Sequence, residues 1–167
     1  HQAFSNTVNL QNTTNNRSII WNNVQSNMGG RTRTAMYDPN DINNSKVWAA
    51  GVSGGLWYTN NIQHNDSIWH SVDDLWDNLS VSKIIYDPNN INVFYVSTGE
   101  ANTAIVTYRE SSSKGIGIWK TIDAGNNWEL LESTSNFEYI NNKEIKNIDN
   151  STELYAAVAS GTYQGQE

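Results

Sequence analysis

The chain has 167 residues, ordinarily the size of one domain, and its 37% hydrophobic content is enough for a core. A net charge of −7 and a pI near 4.8 disfavour a nucleic-acid backbone as partner, since there is no lysine and arginine surplus to displace counterions. No run approaches the ~18 apolar residues of a membrane span, and the absence of cysteine excludes a disulfide framework and any thiolate metal site.

Charged residues make up only 16%, so polarity comes mainly from Asn, Ser and Thr. Together with 11 Gly, 7 Trp and 8 Tyr, this is the composition of short strands joined by many turns. No heptad or helical stripe is present, and the expected fold class is all-β. The same composition suits a secreted or surface protein.

In chain order, Trp21-Asn-Asn-Val24 reads as a strand of Trp-x-x-apolar type. A strand over Thr32–Tyr37 leads into Tyr37-Asp-Pro-Asn40, a type I turn signal in which proline sets φ at the second position. Strands follow at Lys46–Ala50 and Gly55-Leu-Trp-Tyr-Thr59, and a hairpin delivers Trp69-His-Ser-Val72. The pattern then recurs. Val81–Tyr86 runs into Tyr86-Asp-Pro-Asn89, a copy shifted by 49 residues that holds the second of the chain's two prolines. Val93–Ser97, Gly117-Ile-Trp-Lys-Thr121 and Trp128-Glu-Leu-Leu131 complete it. A third copy begins with Ile145–Ile148 and Leu154-Tyr-Ala-Ala-Val-Ala159.

Each unit thus reads as four strands, about the ~40–50 residues of a propeller blade. The expected organisation is an N-terminal segment with an orphan outer strand (1–26), a first blade (27–76), a second blade (77–134) and half of a further blade (135–167). A blade cannot bury both faces alone. The expectation is therefore a partial β-propeller whose remaining blades come from the same or an associated chain.

The hairpin Thr121-Ile-Asp123-Ala-Gly125-Asn-Asn-Trp128 has the form [ST]-x-D-x-G-x-x-W. Asp123 can fold onto nearby backbone N–H groups, Gly125 supplies a positive φ, and Trp128 buries a ring beneath the turn. This resembles the Asp-box of BNR repeats. With Met28-Gly-Gly-Arg-Thr-Arg33, Gly54-Gly-Leu-Trp57, Ser97-Thr-Gly-Glu100 and Gly115–Trp128 in the same order, residues 20–160 resemble BNR-repeat, sialidase-like and sortilin-like propellers. The likeness extends to large secreted or cell-surface proteins of Bacteroidetes that carry type IX sorting domains. In the first unit the Asp-box is degenerate: its glycine is absent, and Thr59 to Trp69 spans 10 positions against 7 from Thr121 to Trp128.

The resemblance implies a propeller in which ligands bind on one face, near the channel, with the Asp-box and Asp-Pro-Asn turns on the other. Thr121, Asp123, Gly125 and Trp128 are then structural, as are Asp38 and Asp87. The candidate ligand residues are Arg31, Arg33, Trp76, Glu100, Tyr108 and Arg109: arginines to pair a carboxylate, and aromatic rings to stack on sugars. Several of these fall in a loop that is 13 residues longer in the second unit. The alternative reading makes Arg31, Arg33 and Glu100 loop anchors. Asp73, Asp74 and Asp77 lack the spacing of a calcium loop, and His64 and His70 that of a zinc site. No metal, cofactor, nucleic acid or membrane insertion is implied.

Catalytic residues are not assignable. The Arg-Ile-Pro motif that opens a sialidase site is missing, and Val52 stands where oligoxyloglucan hydrolases carry an acid. The expected function is a non-catalytic binding or scaffold segment of an extracellular or surface protein, taking a glycan or a protein. The alternatives are a glycoside hydrolase completed by residues elsewhere, or a subunit of a surface assembly.

Overall fold

A computed structural model describes residues 31–64, 67–72, 78–100, 113–148 and 151–159. The predicted strand at Trp21–Val24 lies outside them, as do Asp73, Asp74 and Asp77. The described chain is all-β, with two four-stranded antiparallel sheets and a two-stranded hairpin. The first sheet contains β1 (Thr32–Tyr37), β2 (Val47–Gly51), β3 (Leu56–Thr59) and β4 (His70–Ser71), paired in chain order. The second repeats this with β5 (Val81–Asp87), β6 (Asn90–Thr98), β7 (Ile118–Thr121) and β8 (Glu129–Leu130). The hairpin pairs β9 (Ile140–Ile148) with β10 (Ser151–Val158). Among the described residues no helix is long and apolar enough to cross a membrane.

Two strand assignments differ from the sequence reading. β9 begins at Ile140, not Ile145, because Lys143 lies fully buried at a position whose polarity hides the strand. The fourth strands shrink to two residues each, with Trp69 and Trp128 standing just before them.

The ladders superimpose. Val47, Trp48, Ala49 and Ala50 face Thr59, Tyr58, Trp57 and Leu56 across β2–β3. Phe94, Val96 and Ser97 face Thr121, Trp119 and Ile118 in the same order across β6–β7, with Tyr95 opposite Lys120. A bulge interrupts the first pair of every unit at the same place, between Thr32 and Thr34, between Val81 and Lys83, and opposite the Ala157–Val158 step. One extra residue there bends the strand and increases its twist.

Period-two alternation decides what packs where. Phe94 and Val96, both fully buried, turn toward the first sheet and join Trp48, Ala50, Leu56, Val81 and Ile84 in one core. Their neighbours Val93 and Tyr95 turn the other way and meet Ile118 and Ile140, with Leu154 and Ala156 of β10 against them. β6 is therefore buried on both faces, which is why it reads as a continuous apolar run. Each large side chain buried this way contributes about 1.5–3 kcal/mol. The three units stack in series, the second sheet presenting one face to the first sheet and the other to the hairpin.

Candidate functional site

The strands of both sheets run between two edges of the molecule. The turn edge carries the Asp-Pro-Asn turns and the Thr121–Trp128 hairpin, and its side chains close their own turns. Asp38 accepts the Asn40 N–H at 2.9 Å and the Trp48 indole at 2.9 Å, and pairs with the Lys46 ammonium at 2.8 Å. Burial would push its carboxyl up, but Lys46, Asn40 and Trp48 together hold it below the usual carboxylate value. Asp87 repeats the turn contact to Asn89 N–H at 2.9 Å and accepts the Thr152 hydroxyl at 2.8 Å. The asparagines of these turns reach across to the next unit. Asn40 donates to the Ile91 carbonyl at 2.9 Å, and Asn89 to the Thr152 hydroxyl at 3.4 Å.

In the Thr121–Trp128 hairpin, the Thr121 hydroxyl donates to Asp123 at 2.7 Å and accepts the Gly125 N–H at 3.0 Å. The Asp123 carboxylate also accepts from the Asn127 side chain at 2.6 Å and the Asn127 N–H at 2.9 Å. The Asn127 side chain is the largest influence holding the Asp123 carboxyl down to about 2, followed by the Asn127 N–H and the Thr121 hydroxyl. Trp128 donates its indole N–H to the Gly125 carbonyl at 3.1 Å. Gly125 has φ +89°, and a Cβ there would overlap the six-membered ring of Trp48 in the first sheet. All four residues are engaged in the turn, and Gly125 and Trp128 also pack against Trp48 of the first sheet.

The degenerate copy keeps part of this scheme. Asn61 stands in the aspartate's place, accepting the Gln63 N–H at 3.1 Å. Ile62 N–H donates to the Ser45 carbonyl at 2.8 Å, as Ala124 N–H does to Asn92 at 2.9 Å.

At the opposite edge, three of the six candidate ligand residues come together. Arg31 and Arg33 of the β1 entry both donate to the same Glu100 oxygen, at 2.5 and 3.4 Å. Glu100 is nearly buried, and Arg33 half-buried beside it, whereas the Arg31 side chain is 71% exposed. Glu100 is held by the backbone as well, its N–H donating to the Ser113 carbonyl at 2.9 Å. A second pair, Lys114 to Glu138 at 3.1 Å, joins the same edge to the start of β9, and Asn78 donates to the Lys114 carbonyl. Trp76, Tyr108 and Arg109 lie outside the described residues. Val52 is buried, and its N–H donates to the Arg31 carbonyl at 2.9 Å. His70 stacks on Tyr58 at 5.3 Å, and among the described residues no cluster of His, Cys, Asp and Glu could hold a metal.

A groove of about 540 Å³ runs along the first strands of all three units, from Ala35 and Met36 past Lys83–Tyr86 to Lys143–Ile145. Sequence reading missed Lys143. Its Nζ donates to the Lys83 carbonyl at 2.6 Å and the Ser97 hydroxyl at 3.1 Å between the second sheet and the hairpin. Burial, and secondarily the charge of Lys83, holds its pKa well below the ordinary lysine value. Its place in the same alternation phase as Ile145 was the available signal. No family model, curated protein or solved structure matches the chain.

Proposed function

We propose that this chain is a section of a β-propeller, with each four-stranded sheet a blade and β9–β10 the opening half of another. The observation that carries this reading is the serial packing, in which three units share one ladder register and one bulge position, and the second and third each lay the same face on the unit before. Such units stacked through a constant twist curve round an axis. The groove along β1, β5 and β9 is then a stretch of channel wall, and the edge holding Arg31, Arg33 and Glu100 is the ligand face.

On this reading the segment binds or scaffolds rather than catalyses, as part of a larger secreted or cell-surface protein. Glycoside hydrolysis needs two carboxyl groups at a defined separation, one of them free to give a proton. Glu100 instead accepts from two guanidinium groups, and Val52 offers no acid. The exposed Arg31 suits a carboxylate on an acidic glycan or on a surface protein. The test is binding to an immobilised panel of acidic and neutral glycans, with a parallel assay for released sugar. Selective retention of acidic glycans, lost in Arg31→Ala with no sugar released, is the expected result. Turnover of any glycoside would refute the non-catalytic assignment, and retention unchanged by Arg31→Ala would refute the site.

A further inference from the structure

The outer edge of β10 is the one place where the repeat shows what its partner must look like. In the first sheet the second strand is followed by Gly55-Leu56-Trp57-Tyr58-Thr59, and in the second by Gly117-Ile118-Trp119-Lys120-Thr121. Both segments enter through a glycine of positive φ, +73° and +106°, and pair in one register. β10 is the third copy of that second strand, because Leu154, Tyr155, Ala156 and Ala157 occupy the positions of Phe94, Tyr95, Val96 and Ser97 against their first strand. Among the described residues β10 pairs with β9 alone. Tyr155, which stands where Trp48 and Tyr95 stand, is 53% exposed.

We propose that the edge of β10 away from β9 is a docking site for the third and fourth strands of its own unit, an antiparallel pair opening with Gly-(Leu or Ile)-Trp-x-Thr. This deepens the propeller reading and rests on it. The register follows from the two filled copies: the incoming aliphatic residue sits opposite Ala157, the tryptophan opposite Ala156, the variable residue opposite Tyr155 and the threonine opposite Leu154. Trp57 and Trp119 both turn toward the side of the preceding unit. The incoming tryptophan would therefore lie over the cluster of Ile118, Leu131 and Phe137, of which the last two remain partly exposed. Backbone polarity agrees with this. Thr98 N–H donates outward to Gly117 while Gly99 N–H donates inward to Ser80, and Ala159 N–H donates inward to Tyr139 at 2.8 Å in the same way. The N–H groups of Leu154, Ala156 and Val158 accordingly point out along the edge, ready for main-chain pairing. A second copy of the chain is a poorer occupant, since its own segments of this type are already paired to β2 and β6.

The probe is a synthetic peptide with the sequence of Gly117–Leu131, added to the intact chain while amide exchange is followed residue by residue. The expected result is a saturable slowing of about tenfold or more at Leu154, Ala156 and Val158, with Tyr155 and Ala157 unchanged. A Trp119→Ala peptide should weaken the effect, and a scrambled peptide should abolish it. No slowing, equal slowing by the scrambled peptide, or protection at these amides before any peptide is added would each overturn the proposal. A concentration-dependent dimer that protects the same amides would overturn it in favour of a second copy. The propeller reading fails on a different observation, an image of the whole assembly in which these units do not curve round a channel.

Discussion

Replacing Lys143 with methionine should stabilise the protein, and the gain should depend on pH in a defined direction. The side chain is buried between the second sheet and the hairpin, where its pKa is lowered by burial and by Lys83. An unfolded chain titrates this lysine near 10.4, so between the lowered native value and that pH the unfolded state holds a proton the native state lacks. Stability therefore rises with pH across this window, by up to about 1.4 kcal/mol per unit, and below the native value the contribution is flat. Against the gain from removing a buried amine stand two hydrogen bonds of about 1 kcal/mol each. Their partners are not orphaned, because Ser97 still donates to the Lys83 carbonyl at 3.3 Å and accepts from Ser82 at 2.9 Å. The net expectation near neutral pH is a more stable Lys143→Met variant, the relief from burial outweighing the about 2 kcal/mol of lost hydrogen bonds. Urea melts followed by tryptophan fluorescence at pH 7, 8, 9 and 10 read this directly, and the raised tyrosines Tyr95 and Tyr155 cancel in the difference. The advantage should shrink as pH rises. A variant less stable than the parent at neutral pH, or curves that stay parallel to pH 10, would refute the reasoning.

Three further outcomes follow from the turn edge and the opposite edge. Gly125→Val should cost about 2–5 kcal/mol in a chemical melt, combining the positive-φ penalty with overpacking against Trp48. Adding Trp48→Leu should relieve only the overpacking part, a coupling readable in a double-mutant cycle. Asp123, observed by carbon NMR, should titrate near 2, and in Asn127→Ala its midpoint should move up toward the ordinary carboxylate value. Because the native value is depressed, whatever stability Asp123 contributes is present above about 3.9 and is lost as pH falls through about 2. Finally, Arg33→Ala should cost about 1–2 kcal/mol and Arg31→Ala less than about 1 kcal/mol, although Arg31 makes the shorter contact. Water screens the exposed guanidinium, while Arg33 is enclosed with Glu100. Equal losses in urea melts would count against this ordering.

The turns were legible because each is closed by its own side chains. Asp38, Asp87 and Asp123 all accept from N–H groups within four residues, so a local pattern carries the bond that closes each turn. The doubled Asp-Pro-Asn string likewise revealed the repeat, and the ladders then aligned Val47 with Phe94 and Leu154. What could not be read was set by distance or by broken alternation. Arg31 and Glu100 are 69 residues apart, and nothing local to either announces the other. In β9 the bulge at Asn141 shifts the phase, and the buried Lys143 stands in an apolar row, so the first half of that strand did not look like one. The fourth strands were placed but read as too long, because the tryptophan that advertises each lies just before the paired backbone.

The cross-unit contacts at the two edges have a mechanical consequence. Asn40 holds the Ile91 carbonyl at one end of β1, and Arg31 with Arg33 holds Glu100 at the other, about 20 Å away at the ~3.3 Å rise per residue of a six-residue strand. An apolar interface alone tolerates sliding, because one aliphatic contact can be exchanged for the next. Fastenings at both ends remove that freedom, so a load directed along the strands must break the two sets together, whereas a load prying the sheets apart meets them one after the other. The pair of sheets should therefore resist shear far better than peeling.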